Sequence, residues 1–141
     1  MGATDFTELV CWQLARQLKL FVLQMTARPA LRRNVRFRDQ IEDAASSATR
    51  NIAEGFGRYD HKEFANFLKI AVASEFEVRD ALIEASDRRY ITQDELNQGL
   101  ILTRRAISAA AKLRQHLVGT PTPQPKRRSP LADTPPSRSN T

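Results

Sequence analysis

The stretch "NIAEGFGRYDHKEFANFLKIA", residues 51–71, decides the fold. Two glycines, Gly55 and Gly57, stand where the helical periodicity of the chain is strongest. A capping pair follows at once. Asp60 and Glu63 lie three apart, the spacing at which an N-cap side chain and a glutamate satisfy backbone donors of a helix start. Upstream, Phe37, Ile41, Ala44, Ala48, Ile52 and Gly55 recur in steps of three and four. Downstream, Phe64, Phe67, Leu68, Ala71, Val78, Leu82 and Ala85 do the same. The glycines therefore read as punctuation: Gly55 or Gly57 takes the left-handed conformation that ends one helix, and Asp60 begins the next. The pair makes a helical hairpin. A phosphate-binding loop would need a preceding strand and more glycines, and "GFG" has neither.

The pattern extends in both directions. A first helix is expected over residues 7–26, with Phe6, Leu9, Leu14, Leu18, Phe21, Val22 and Met25 near helical spacing. Its start is open between an Asp5–Glu8 capping box and a Thr7 cap with Phe6 stapled against Cys11. It stops before Pro29, which disfavours helix at the residue ahead of it. The second helix covers residues 35–55, and its small-residue middle, "AASSAT", predicts a close helix crossing. A fourth helix opens at Thr92 with Glu95 completing a capping box and ends at Gly119 as a C′ residue. No strand pattern occurs. The fold class is all-α, an antiparallel up-down four-helix bundle spanning residues 1–118. Residues 119–141 hold six of the seven prolines and almost no large apolar side chain, so a disordered basic tail is expected.

The net charge of +6 is partly local to that tail, where Lys126, Arg127, Arg128 and Arg138 face only Asp133. The rest of the chain is mildly basic. "RPALRRNVRFR" concentrates Arg28, Arg32, Arg33, Arg36 and Arg38 before an acidic helix start, and with Lys126–Arg128 it is the candidate for contact with RNA or DNA phosphates. A charge-balanced surface is the alternative. Cys11 is the only cysteine, which excludes an intramolecular disulfide and suits a reducing cytoplasm. No signal-peptide or membrane-span pattern is present.

His61 and His116 lack metal-ligand spacing, and Ser46, Ser47 and Ser74 lack a nucleophile motif. Neither an enzyme nor a metal or cofactor is expected. Asn51, Glu54 and Arg58, with Ser74 and Glu77 on the next helix, read either as solvated polar patches or as a hydrogen-bonded network between the helices. Val72, Phe76 and Ile83 widen the apolar arc of the third helix beyond what a lone bundle buries, which predicts an oligomer contact there.

"FTELVCWQLARQL", "NIAEGFGR" and "KEFANFLKIAVAS" followed by Glu77 resemble the four helix bundle protein family, also called 23S rRNA-intervening sequence proteins. The resemblance covers residues 6–117 and excludes the tail. It maps the family's characteristic positions onto Trp12, Asn51, Glu54, Gly55, Arg58, Glu63, Phe64, Ser74 and Glu77. Ala73 stands where glycine is frequent, and Cys11 precedes the tryptophan. The resemblance implies a ring-like homopentamer without established enzymatic activity. The chain is similar also to accessory proteins of diversity-generating retroelements, which implies nucleic acid and a reverse transcriptase as partners. The rival reading is a structural or protein-interaction module, a scaffold or accessory subunit without nucleic-acid binding.

Overall fold

A computed structural model describes residues 2–123. A 3-10 turn, Phe6–Glu8, leads into α1, Val10–Thr26. The short α2, Pro29–Arg33, precedes the three long helices α3 (Val35–Phe56), α4 (His61–Asp87) and α5 (Gln93–Gly119). The four long helices pack as an antiparallel up-down bundle in which α1 and α4 each lie between α3 and α5. The described residues contain no strand, and none of their helices is long and apolar enough to cross a membrane.

Local chemistry sets the boundaries. Asp60 accepts from the Glu63 N–H at 2.9 Å to start α4, and Thr92 with Glu95 makes a reciprocal capping box at α5. The first helix starts later than its periodicity suggests. Asp5 caps the 3-10 turn, Glu8 instead accepts from Thr4, and Phe6 packs edge-on against Trp12. Pro29 does not simply break the chain: at the first position of α2 its missing N–H costs nothing. Asn34 then caps α3 by accepting from Phe37 N–H, while its amide donates to the Tyr90 hydroxyl at 2.9 Å. That bond ties the α2–α3 corner to the α4–α5 loop.

The expected left-handed glycine is not observed. No described glycine has positive φ, and Gly57 is right-handed at φ −71. Tyr59, at φ 59, makes the turn between α3 and α4. Gly55 serves a different purpose. It lies inside α3, and a Cβ there would stand 2.6 Å from Phe67 Cβ and 2.9 Å from Phe64 Cδ1. Glycine is required because α4 comes close, not because the backbone turns. Gly119 likewise closes α5 from within, with Thr120 as the cap. The other left-handed residue, Arg89 at φ 62, ends α4 in a Schellman motif: Tyr90 N–H donates to Ala85 and Arg89 N–H to Ser86.

The core has two parts. Leu18, Val22, Ile41, Val78 and Leu82 fill the half near the α2 end. Cys11, Ile52, Leu68, Ala71 and Ala110 fill the half near the α3–α4 hairpin. Ala44, Ala45 and Ala48 are buried, as the small-residue run predicts, and Ser47 Oγ reaches Ser74 Oγ at 2.8 Å across the α3–α4 seam. Glu75 lies on the same face of α4 as Leu68, Ala71, Val78 and Leu82, with no exposed surface. Neither of its carboxyl oxygens has a hydrogen-bond partner. Burial pushes this carboxyl up to about 8. Burial, and then the Glu75 charge, push the Cys11 thiol up to about 12.

Candidate nucleic-acid interface

The helix order separates the two basic segments singled out from the sequence. Arg28 to Arg38 lie where α1 ends and α3 begins, at the end of the bundle that also holds the α4–α5 loop. The chain leaves α5 at the other end, beside the α3–α4 hairpin. A helix of 27 residues lies between these ends, roughly 40 Å at 1.5 Å per residue. Lys126, Arg127 and Arg128 fall outside the described residues. The residues just before them are held in place. Thr122 Oγ1 accepts from His61 N–H at 2.8 Å, and His61 Nδ1 donates to the Thr120 carbonyl at 2.7 Å. Residues 120–122 thus cover the first turn of α4, which places the exit of the basic tail at the hairpin.

The five arginines are not equivalent. Arg28 is committed to Glu95, Nη1 donating to Oε1 at 2.9 Å and Nη2 to Oε2. That arginine, first, and the capping contact with Thr92 hold the Glu95 carboxyl down to about 2. Arg38 is half-buried, donating to Asp39 and to the Arg32 carbonyl. Arg32, Arg33 and Arg36 are exposed and have no ion pair among the described residues. Arg89, which the sequence reading passed over, is exposed next to Tyr90, the residue bonded to Asn34. Three or four guanidinium groups without ion pairs can bind phosphate oxygens without first giving up a carboxylate.

The polar positions at the hairpin divide into two groups. Asn51 Nδ2 donates to the Ser47 carbonyl at 2.8 Å and to Ser47 Oγ at 3.0 Å, extending the Ser47–Ser74 contact. Of the two readings open from the sequence, the hydrogen-bonded network holds for Asn51 and Ser74 alone, joined through Ser47, which that reading did not include. Arg58 instead pairs with Glu54 at 2.9 Å and approaches Glu63 at 3.8 Å, its guanidinium lying 5.0 Å from the Phe67 ring centre. These charged groups are about half exposed, so the pairs fix geometry more than they stabilise. Glu77 is exposed and makes no bond among the described residues. Phe64 is buried against Gly55 and Phe56, and Trp12 is half-buried at the hairpin half of the core.

The second apolar face of α4 reaches solvent at two of its three expected positions. Phe76 is 52% and Ile83 37% exposed, while Val72 is half-buried against the core. Among the described residues no group of three metal-ligating side chains converges.

The family model described as 23S rRNA-intervening sequence protein matches residues 7–111, most of the bundle. No curated protein matches the chain.

Proposed function

The chain belongs to the family of 23S rRNA-intervening sequence proteins, and from that premise we propose a non-enzymatic, homo-oligomeric helical bundle that contacts RNA or DNA through its arginine-bearing end. The observation that carries this reading is the set of exposed arginines, Arg32, Arg33 and Arg36, without carboxylate partners among the described residues. Assembly fits the same picture. Phe76 and Ile83 give α4 an outward apolar face for a second copy, and the family resemblance implies five copies around a ring. A ring repeats each weak phosphate site, so effective concentration turns modest contacts into useful avidity. The basic tail contributes further positive charge, and the cytoplasm is the expected setting. A partner protein such as a reverse transcriptase is the further partner that the resemblance implies.

Gel mobility shift at low salt tests the reading. The intact protein should retard RNA or DNA with little sequence preference, and the shift should fade steeply as salt rises because counterion release drives it. Changing Arg32, Arg33 and Arg36 together to Ala should lower both affinity and salt slope. Removing residues 120–141 should weaken binding and leave the helical signal in place. Absence of any shift at low salt would hand the argument to the scaffold reading, for which the exposed Phe76–Ile83 face is the supporting observation. Light scattering decides assembly: a monomer at micromolar concentration would remove the oligomer, and Phe76→Glu should dissociate it.

A further inference from the structure

The α1–α3 seam carries a groove of about 370 Å³ lined by Trp12, Arg16, Lys19, Leu20, Leu23 and Arg50, together with Thr49 and Ala53. Three cations border it and no carboxylate does. None of the three has an ion pair among the described residues. Leu20 and Leu23 are 45% and 39% exposed, so part of the floor is apolar surface open to water. Acidic side chains lie nearer the start of α3, where Asp39, Glu42 and Asp43 share a neighbouring hollow with Arg50.

The geometry points to this groove as a binding site for unpaired nucleotides of single-stranded RNA, with bases against Trp12 and the leucines and phosphates on Arg16, Lys19 and Arg50. The inference rests on the nucleic-acid reading above and adds a site to it. A duplex offers only its phosphate surface, since its bases are stacked on one another and hidden from a side-chain indole. A single strand offers both faces that the groove answers, a charged backbone and an open base. The volume lies within the roughly 300–1,000 Å³ of small-ligand pockets, suited to nucleotide units and too small for a helix. A protein partner for the same groove would need acidic and apolar groups together, and the charge favours the polyanion.

Trp12 is the only tryptophan, so the full-length protein reports on its own groove. Titration with single-stranded oligouridylate of about 12 nucleotides at low salt should quench Trp12 emission, and a duplex at equal phosphate should not. Arg16→Ala, Lys19→Ala and Arg50→Ala together should weaken single-strand binding roughly tenfold or more. They should also reduce the salt slope by about 2, at about 0.7 per phosphate contact. Arg16→Glu alone, at an exposed position, should remove most of the quenching, and unchanged quenching in it would overturn the groove even if the triple variant fails to fold. Shifted RNA with unchanged Trp12 emission, insensitive to the triple substitution yet lost in the Arg32, Arg33 and Arg36 variant, would overturn the groove and leave the proposed function standing. No shift of any nucleic acid would remove both. Emission that follows protein concentration and ignores RNA would make the groove a contact between copies and overturn the inference.

Discussion

Replacing Glu75 with Gln should make the protein more stable at neutral and alkaline pH and should flatten its pH profile. Glu75 has no exposed surface and neither carboxyl oxygen is hydrogen-bonded, so its charged form is poorly solvated. Burial raises the group from its ordinary 4.5 to about 8. The folded state therefore keeps a proton that the unfolded chain releases. Where the folded state binds more protons, stability falls as pH rises. This group's contribution is greatest below about pH 4.5, declines to about pH 8, and is flat beyond. At about 1.4 kcal/mol per unit the whole decline is roughly 5 kcal/mol, and roughly 3 kcal/mol of it is already lost at pH 7. Relaxation of the core around the charge makes these upper figures. The amide of Gln has similar shape and no charge, so wild type and variant should nearly coincide at about pH 5 and diverge by several kcal/mol at about pH 9. Urea unfolding followed by far-UV circular dichroism, at one fixed protein concentration, measures this and keeps any assembly term common to both proteins. Parallel pH profiles would refute the reasoning, because they would mean that Glu75 ionises in the folded protein with its charge compensated.

Gly55→Ala should destabilise by roughly 1–2 kcal/mol despite the better helix former, because the new Cβ would meet the root of the Phe67 side chain at 2.6 Å. Gly57→Ala, with only ordinary contacts to Glu54 and Ala53 carbonyls and φ −71, should be neutral or stabilising by up to about 1 kcal/mol. Thermal melts of the two variants check both, and equal melting points would show that the α3–α4 contact yields freely. Tyr59→Gly should raise stability by roughly 1 kcal/mol, since a bulky residue at φ 59 is strained and its side chain is 82% exposed; a lower melting temperature would show that the ring makes a contact that outweighs the strain. Glu95→Gln should cost no more than about 1 kcal/mol, because its pair with Arg28 is partly exposed and screened. The contribution of Glu95 is present above its ordinary 4.5 and is lost as pH falls toward about 2, so wild type and variant should converge in acid unfolding curves.

What the sequence could reveal depended on how far apart the cooperating residues lie. The long helices were legible because periodicity, caps and breakers act within a few residues: Asp60 with Glu63, Thr92 with Glu95, the alternating threes and fours of α3 and α4. The same local view misassigned Gly55, since a glycine that permits positive φ and one that permits a neighbouring helix to approach look identical in one dimension. Phe67, twelve positions on, supplies the difference. Glu75 had a readable signal: it continues the apolar register of Leu68, Ala71, Val78 and Leu82, and a carboxylate at a core position is legible once register outranks residue type.

Charge was the least legible property, because pairing is a matter of the fold. Arg28 belongs to the most basic run in the described chain, yet Glu95, 67 positions away, neutralises it. Arg16, Lys19 and Arg50 sit in unremarkable stretches of α1 and α3, yet antiparallel packing places all three around one groove beside the single indole. A count along the chain weights Arg28 and Arg50 equally. A polyanion does not, since displacing Glu95 from Arg28 costs a charge-assisted bidentate contact and approaching the groove displaces only water and counterions. Available positive charge in this bundle is therefore set by which helices are neighbours, and the up-down order is what brings Arg16, Lys19 and Arg50 together at the α1–α3 seam.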